Sequence, residues 1–187
     1  IDIERRADGT MLIRSRFPLD PYPDRITDRL VHWAKQTPDR VFMAARDDNG
    51  EWREITYAQA LHYARSIGQA LLKRNLSPQR PLAILSDNSL EHLTLAMGAL
   101  WAGVPCAPVS PAYSLLSTDY GKLRHIMRLA TPGLVFAQDE ARYAKAVAAA
   151  VPEGTELVYG SVPESAPSAK VDEAHARTGP DTIAKLL

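Results

Sequence analysis

The sequence predicts an α/β fold: a mostly parallel sheet with helices on both faces, built from βαβ units and preceded by a β-hairpin. Three observations carry this reading. From Pro81 onward, short apolar runs alternate with longer segments of helical periodicity, as in strands joined by crossover helices. The run Pro81–Ser86, PLAILS, is apolar almost throughout instead of alternating, which is the pattern of a strand covered on both faces. Ahead of it, VFMAARDDNGEWREIT (residues 41–56) sets Asn49-Gly50 between two β-prone runs, a two-residue hairpin-turn signal.

Taken in order, residues 1–23 read as an irregular segment, because Pro18, Pro21 and Pro23 oppose regular structure. An α/β body follows over residues 24–160. Asp24 is placed to cap a helix over residues 25–36, where Ile26, Leu30, Trp33 and Ala34 recur at helical spacing and Pro38 stops the run. After the hairpin, Thr56 and Gln59 match a capping box, and Tyr57, Leu61, Ala64 and Leu71 share one face of a helix reaching about Asn75. Behind PLAILS, Asn88 or Ser89 caps a helix that ends at Gly103. That helix is apolar almost all round (Leu90, Leu93, Leu95, Met97, Leu100, Trp101), which predicts a position between layers. VPCAPV is the next strand, which its prolines push toward an edge or an irregular stretch. A helix over 115–130, a strand GLVFAQ, a helix over 140–150 and a strand TELVYG complete the body. Residues 161–180, rich in Pro, Ser, Ala and charge, read as a surface connection, and residues 181–187, DTIAKLL, as one more buried strand.

Composition excludes several function classes. Lys+Arg and Asp+Glu both number 22, so no basic excess points to nucleic acid and no charge block to an anionic membrane. The single cysteine, Cys106, allows no intrachain disulfide and fits a reducing, cytoplasmic setting. Residues 1–20 lack the apolar core of a signal peptide, and no run is long and apolar enough to span a bilayer.

The motif search is largely negative. The sequence holds no G-x-G, no G-x-x-x-x-G-K-[ST] and no G-x-S-x-G. His32, His62, His92, His125 and His175 form no i,i+4 pair and have no Cys beside them, so they read as surface or helix-face residues, not zinc ligands. Cys106 reads as a small buried residue in a strand; a nucleophilic thiol, as in an acyltransferase, is the alternative. Ser86–Ser89 (SDNS) and Ser110–Ser114 (SPAYS) each follow a strand, where open α/β sheets bind ligands, but helix capping is the preferred reading of the first and a plain turn explains the second at least as well. Asp87 is the one acidic strand end that a receiver-like Mg²⁺ site could use. Trp33, Trp52 and Trp101 are assigned to packing. No catalytic, cofactor-binding or metal-binding residue emerges from spacing alone, and a stand-alone flavodoxin-like binding or regulatory module stays open at this point.

Two stretches go further. ITYAQALHYARSIGQAL resembles the L-T-Y-x-E-L segment of the adenylate-forming enzymes: acyl-CoA synthetases, luciferases and peptide-synthetase adenylation domains. Thr56, Tyr57 and Leu61 match it, while Gln59 and Ala60 depart from it. NSLEHLTLAMGALWAGVPCAPVSP is similar to the superfamily's next core segment at Asn88, Ser89, Glu91, Gly98, Ala99, Ala102, Gly103, Pro108 and Pro111. The resemblance covers about residues 24–187, and PVSPAYSLLSTDYGKLRHIM looks most like feruloyl-CoA synthases. It implies the N-terminal portion of an ATP-dependent, AMP-forming ligase. ATP, Mg²⁺ and coenzyme A would serve the parent enzyme and a ferulate-like carboxylic acid would be its substrate. DTIAKLL would then deliver a Gly-, Ser- and Thr-rich phosphate loop beyond Leu187. The active-site residues, the acyl pocket and the catalytic lysine are expected beyond Leu187 too. The fragment alone is expected to be inactive.

Overall fold

The computed structural model describes residues 1–47 and 49–187; Asp48, inside the hairpin read at 41–56, lies outside the described residues. The chain opens with a hairpin of β1 (Asp2–Arg5) and β2 (Met11–Arg14), antiparallel, with Ile3 opposite Ile13. This corrects the irregular reading of 1–23. Gly9 makes the turn at φ +86, and the prolines behind that reading all follow the hairpin. α1 (Ile26–Gln36) comes next, with Arg25 at its N-cap and no capping side chain, so Asp24 does not cap it.

β3 (Val41–Arg46) and β4 (Trp52–Thr56) form the second antiparallel hairpin. Its turn is wider than two residues: the Asp47 N–H donates to the Glu51 carbonyl at 2.9 Å, and Gly50 takes φ +83. The Asp47 carboxylate holds it by accepting the N–H groups of Asn49 and Glu51. Thr56 then caps α2 (Tyr57–Lys73) with both bonds of the capping box in place.

The main sheet comprises β5 (Leu82–Leu85), β6 (Cys106–Val109), β7 (Leu134–Ala137) and β8 (Glu156–Tyr159), all parallel in the order β6-β5-β7-β8. Alternation along the strands divides the core. Leu82, Ile84, Leu134 and Phe136 meet Ile67 and Leu71 of α2 and Leu95 and Ala99 of α3 (Leu90–Ala102). On the opposite face, Ala83, Leu85, Val135 and Ala137 meet Leu123 and Met127 of α5 (Gly121–Ala130) and Tyr143 and Val147 of α6 (Glu140–Ala150). α3 sits between layers as its all-round apolarity predicts, and Gly103 ends it at φ +68.

α2 and α3 cross at two glycines. A Cβ on Gly98 would lie 2.4 Å from Ile67 Cγ2, and one on Gly68 would lie 3.0 Å from the Gly98 carbonyl oxygen. Backbone, not side chain, fills this crossing.

Three further elements differ from the sequence reading. The helix read at 115–130 begins only at Gly121, as α5; residues 116–120 are not helical, and Leu115 closes a separate short helix, α4 (Pro111–Leu115). Between them the Ser117 hydroxyl accepts the Tyr120 N–H and the Asp119 carboxylate accepts the Gly121 N–H, so side chains take the donors a continuous helix would use. The surface connection at 161–180 contains α7 (Ala169–Ala176), which packs Val171 and Ala174 inward; Val171 joins the cluster formed by α1, α2 and α3. Residues 181–187 do reach the main sheet, but only through one parallel bridge, Cys106 to Lys185, on the free edge of β6. Among the described residues the run has a strand neighbour on one side only, and Ile183, Lys185 and Leu187 are exposed, which differs from the buried strand read from the sequence.

Candidate functional site

The carboxyl ends of β5, β7 and β8 open into two adjoining clefts beneath the β3–β4 hairpin. One, of about 350 Å³, is lined by Arg46, Arg53, Ser89, Glu91, Gln138 and Gly160. The other, of about 310 Å³, shares Arg53, Glu91 and Gly160 and adds Tyr63, Thr94 and Glu164. A third cleft of about 240 Å³ lies between the start of α1 and the end of α3, next to Val104 ahead of β6 and so at the amino end of that strand. Ligands of open α/β sheets gather at the carboxyl ends, which favours the first two.

The loop after β5 is held tightly. Ser86 is only 3% exposed, and its Oγ lies 2.8 Å from His92 Nδ1. The Asp87 N–H donates to Gln138 Oε1 at 2.9 Å, joining the ends of β5 and β7. The Asp87 carboxylate meets Arg142 of α6 at 3.0 Å. Ser89, not Asn88, caps α3 by accepting the His92 N–H. Glu91 pairs with Arg53 of β4 at 2.8 Å. Burial pushes the Glu91 carboxyl up, but the Arg53 hydrogen bond and charge outweigh it, so it stays below the usual carboxylate range. The Arg46 guanidinium stacks over Trp52, 4.4 Å from the ring centroid.

This arrangement positions a backbone; it does not assemble a nucleophile. Ser86 and His92 have hydroxyl–imidazole contact, yet Ser86 is closed off from a substrate. Burial also holds the His92 imidazole below the usual histidine range, assisted by the Lys185 charge. Cys106 is buried, burial pushes its thiol up, and its Sγ contact is the Ala184 carbonyl at 3.8 Å, which removes the reactive-thiol alternative. Among the described residues no three His, Cys, Asp or Glu side chains converge on a metal-sized site. Asp87 is committed to Arg142, so the residues present do not fit Mg²⁺. His32, His62 and His125 are exposed, and Ser110–Ser114 runs into α4 with Pro111 at its first turn. Spacing missed the Ser86–His92 pair and the Asp87–Gln138 bond. The only signal was a polar strand end followed by a histidine in the next helical turn.

His175 is the second half-buried histidine. Its ring stacks on Trp101 with centroids 3.7 Å apart, Nε2 lies 2.8 Å from Thr27 Oγ1, and Arg25 donates to its carbonyl. Burial lowers its pKa and Arg25 adds to this, against Asp28 and Asp172. With both histidines below their unfolded value of about 6.5, protons bind the unfolded chain first as pH falls. Stability should therefore decline as pH falls through about 6.5, above the range in which most carboxylates titrate. Denaturant midpoints across that fall in pH should show the decline, and the His92→Gln/His175→Gln protein should show a flatter profile.

A four-stranded parallel sheet between two helical layers, with clefts at the strand carboxyl ends, defines an open α/β framework, the class in which ligands gather at those ends. The chain belongs to the AMP-binding enzyme family, whose pattern matches residues 30–186. It is 26% identical over 93 residues to gramicidin S synthase 2 of Brevibacillus brevis, covering 50% of this chain and 2% of that protein. Its fold is similar to a structure from a study of fatty acyl-adenylate ligases of E. coli and L. pneumophila. There the TM-score is 0.63 at 18% identity, over 88% of this chain and 29% of the other. It is also similar to the nonribosomal peptide synthetase FmoA3 with α-methyl-L-serine-AMP bound, at TM-score 0.60 and 23% identity, over 80% of this chain and 16% of the other. The chain thus spans a minor part of the length of each. With the family established, the flavodoxin-like alternative has no remaining support. Among the described residues no helix is long and apolar enough to cross a membrane.

Proposed function

We propose that this chain is the N-terminal scaffold of an ATP-dependent acid–thiol ligase. In the first step a carboxylate oxygen attacks the α-phosphorus of ATP, the bond to the bridging oxygen breaks, and acyl-adenylate and pyrophosphate result. In the second the thiol of coenzyme A, losing its proton, adds to the acyl carbon and displaces AMP, leaving a thioester. The observation that carries the reading is the family match across residues 30–186, on a sheet whose carboxyl ends open into clefts. The acid is proposed to be an aryl or hydroxycinnamic one, ferulate-like, on the resemblance of PVSPAYSLLSTDYGKLRHIM.

In this reading residues 24–160 form the body and the edge segment 181–187 leads toward the ATP phosphates. This chain's own contribution is geometric. The Asp87–Gln138 bond, the Asp87–Arg142 pair and the Ser89 cap fix the backbone at the carboxyl ends of β5 and β7 before any substrate arrives. That preorganisation excludes slack from a site whose phosphate-binding and catalytic groups lie elsewhere in the ligase.

The test is ATP–pyrophosphate exchange by the full-length ligase with ferulate, 4-coumarate, benzoate, fatty acids and amino acids in turn, together with thioester formation on CoA. Exchange and thioester specific to the hydroxycinnamates are expected. Exchange driven only by amino or fatty acids, or without thioester, would overturn the substrate and acceptor assignment. Exchange by residues 1–187 alone would overturn the scaffold role.

A further inference from the structure

Among the described residues the β1–β2 hairpin pairs with no other strand. Ile1, Ile3, Met11 and Ile13 are all exposed, Ile13 at 64%, while Leu12 is half-buried. Ile3 and Ile13 face one another on the side carrying Met11 and its cross-strand partner Arg5, while Glu4 and Arg14 pair at 2.9 Å on the opposite side, which also carries Leu12. The hairpin also lies outside the residues that match the family. A lone two-stranded ribbon is marginal in water, whereas three or more strands with an apolar face sustain themselves.

We propose that β2 is a self-association edge: two copies pair their β2 strands antiparallel about a two-fold axis at Ile13. A four-stranded sheet in the order β1-β2-β2-β1 results. Two features select this partner and this edge. The first is hydrogen bonding. The Arg6 N–H donates to the Thr10 carbonyl, so bonded and non-bonded pairs alternate from there and Met11 and Ile13 turn their N–H and C=O groups to the free edge. Pairing about Ile13 satisfies both of its groups with those of its own copy. The second is charge. About Ile13 the facing pairs are Ile13 with Ile13, Leu12 with Arg14 and Met11 with Ser15, with no like charges opposed, and Arg14 keeps its bond to Glu4. The same operation on β1 about Ile3 sets Asp2 against Glu4 twice, and about Arg5 it sets Arg5 against itself. The β1 edge is therefore self-repelling and the β2 edge self-complementary. The shared axis also continues the apolar side of one hairpin into that of the other, since both copies present Ile3, Met11 and Ile13 on the same face.

Sedimentation equilibrium of the full chain should give a reversible dimer. Ile13→Lys, which places two ammonium groups on the axis at a site already open to solvent, should weaken that dimer at least about tenfold, with an unchanged far-UV circular dichroism spectrum. Ile13→Cys should cross-link rapidly with copper(II)-phenanthroline as oxidant, because paired Cα atoms on the axis lie about 5.5 Å apart, within disulfide reach. Native Cys106 is buried and gives no competing product. Ile3→Cys should not cross-link, since three strand spacings put those residues about 14 Å apart. A protein that stays monomeric, a dimer indifferent to Ile13→Lys, or cross-linking at residue 3 equal to that at 13 would overturn the proposal.

Discussion

Gly98→Ala should destabilise the protein by about 3 kcal/mol, the upper range for a methyl group forced into a closed contact. The new Cβ would stand 2.4 Å from Ile67 Cγ2 and 2.6 Å from Ile67 Cβ. Neither atom is the free end of a flexible chain; both belong to a β-branched residue whose χ1 is restricted in a helix. Relief requires moving α2 away from α3, which would loosen the pocket that buries Leu71, Leu95 and Ala99. Thermal unfolding should show a loss of about 6–12 °C at this chain length. Gly179→Ala is the matched control, because nothing lies within 4 Å of its would-be Cβ. Ile67→Ala in the Gly98→Ala background should recover part of the loss, since the clash and its relief share one pair of residues. A Gly98→Ala protein as stable as the parent would mean the helices do not cross this closely.

Phe136→Ala should cost about 3–5 kcal/mol. Phe136 is fully buried in β7, an interior strand paired with β5 and β8, and it fills the space under α2 and α3. Its removal leaves a void bounded by Leu82, Leu95 and Leu134 among others, and a sheet pinned on both sides cannot collapse to fill it. Urea denaturation should show a lower midpoint with an unchanged slope. A loss below about 1 kcal/mol would contradict the packing described.

The parallel sheet was legible because buried strands announce themselves. LAIL and LVFA carry no polar residue, and the helices between them keep a clear period. The capping box at Thr56 and the terminator at Gly103 were legible for the same local reason: each is decided within one helical turn. What escaped was set by distance or competition. α7 has only Val171 and Ala174 to bury, too few to register as a period, and it exists because α2 and α3 offer them a surface. The break between α4 and α5 came from side chains competing for backbone donors at Ser117 and Asp119, which apolar spacing does not sense. Of the candidate site, the cap and the position after β5 could be read. The hydrogen bond from Asp87 to Gln138 spans 51 residues and the Arg53–Glu91 pair 38, and no local pattern encodes either.

α7 also constrains how the molecule comes together. Its ion pair, Arg65 with Asp172, joins residues 107 positions apart, and the Thr27–His175 contact spans 148. Closing loops of that length costs entropy that must be met by contacts already in place. α7 should therefore dock after α1, α2 and α3 have collapsed together, and its amides should be among the first helical ones to exchange with solvent when the native state opens in part. The segment that seals the bundle is thus a late addition to a nucleus formed without it.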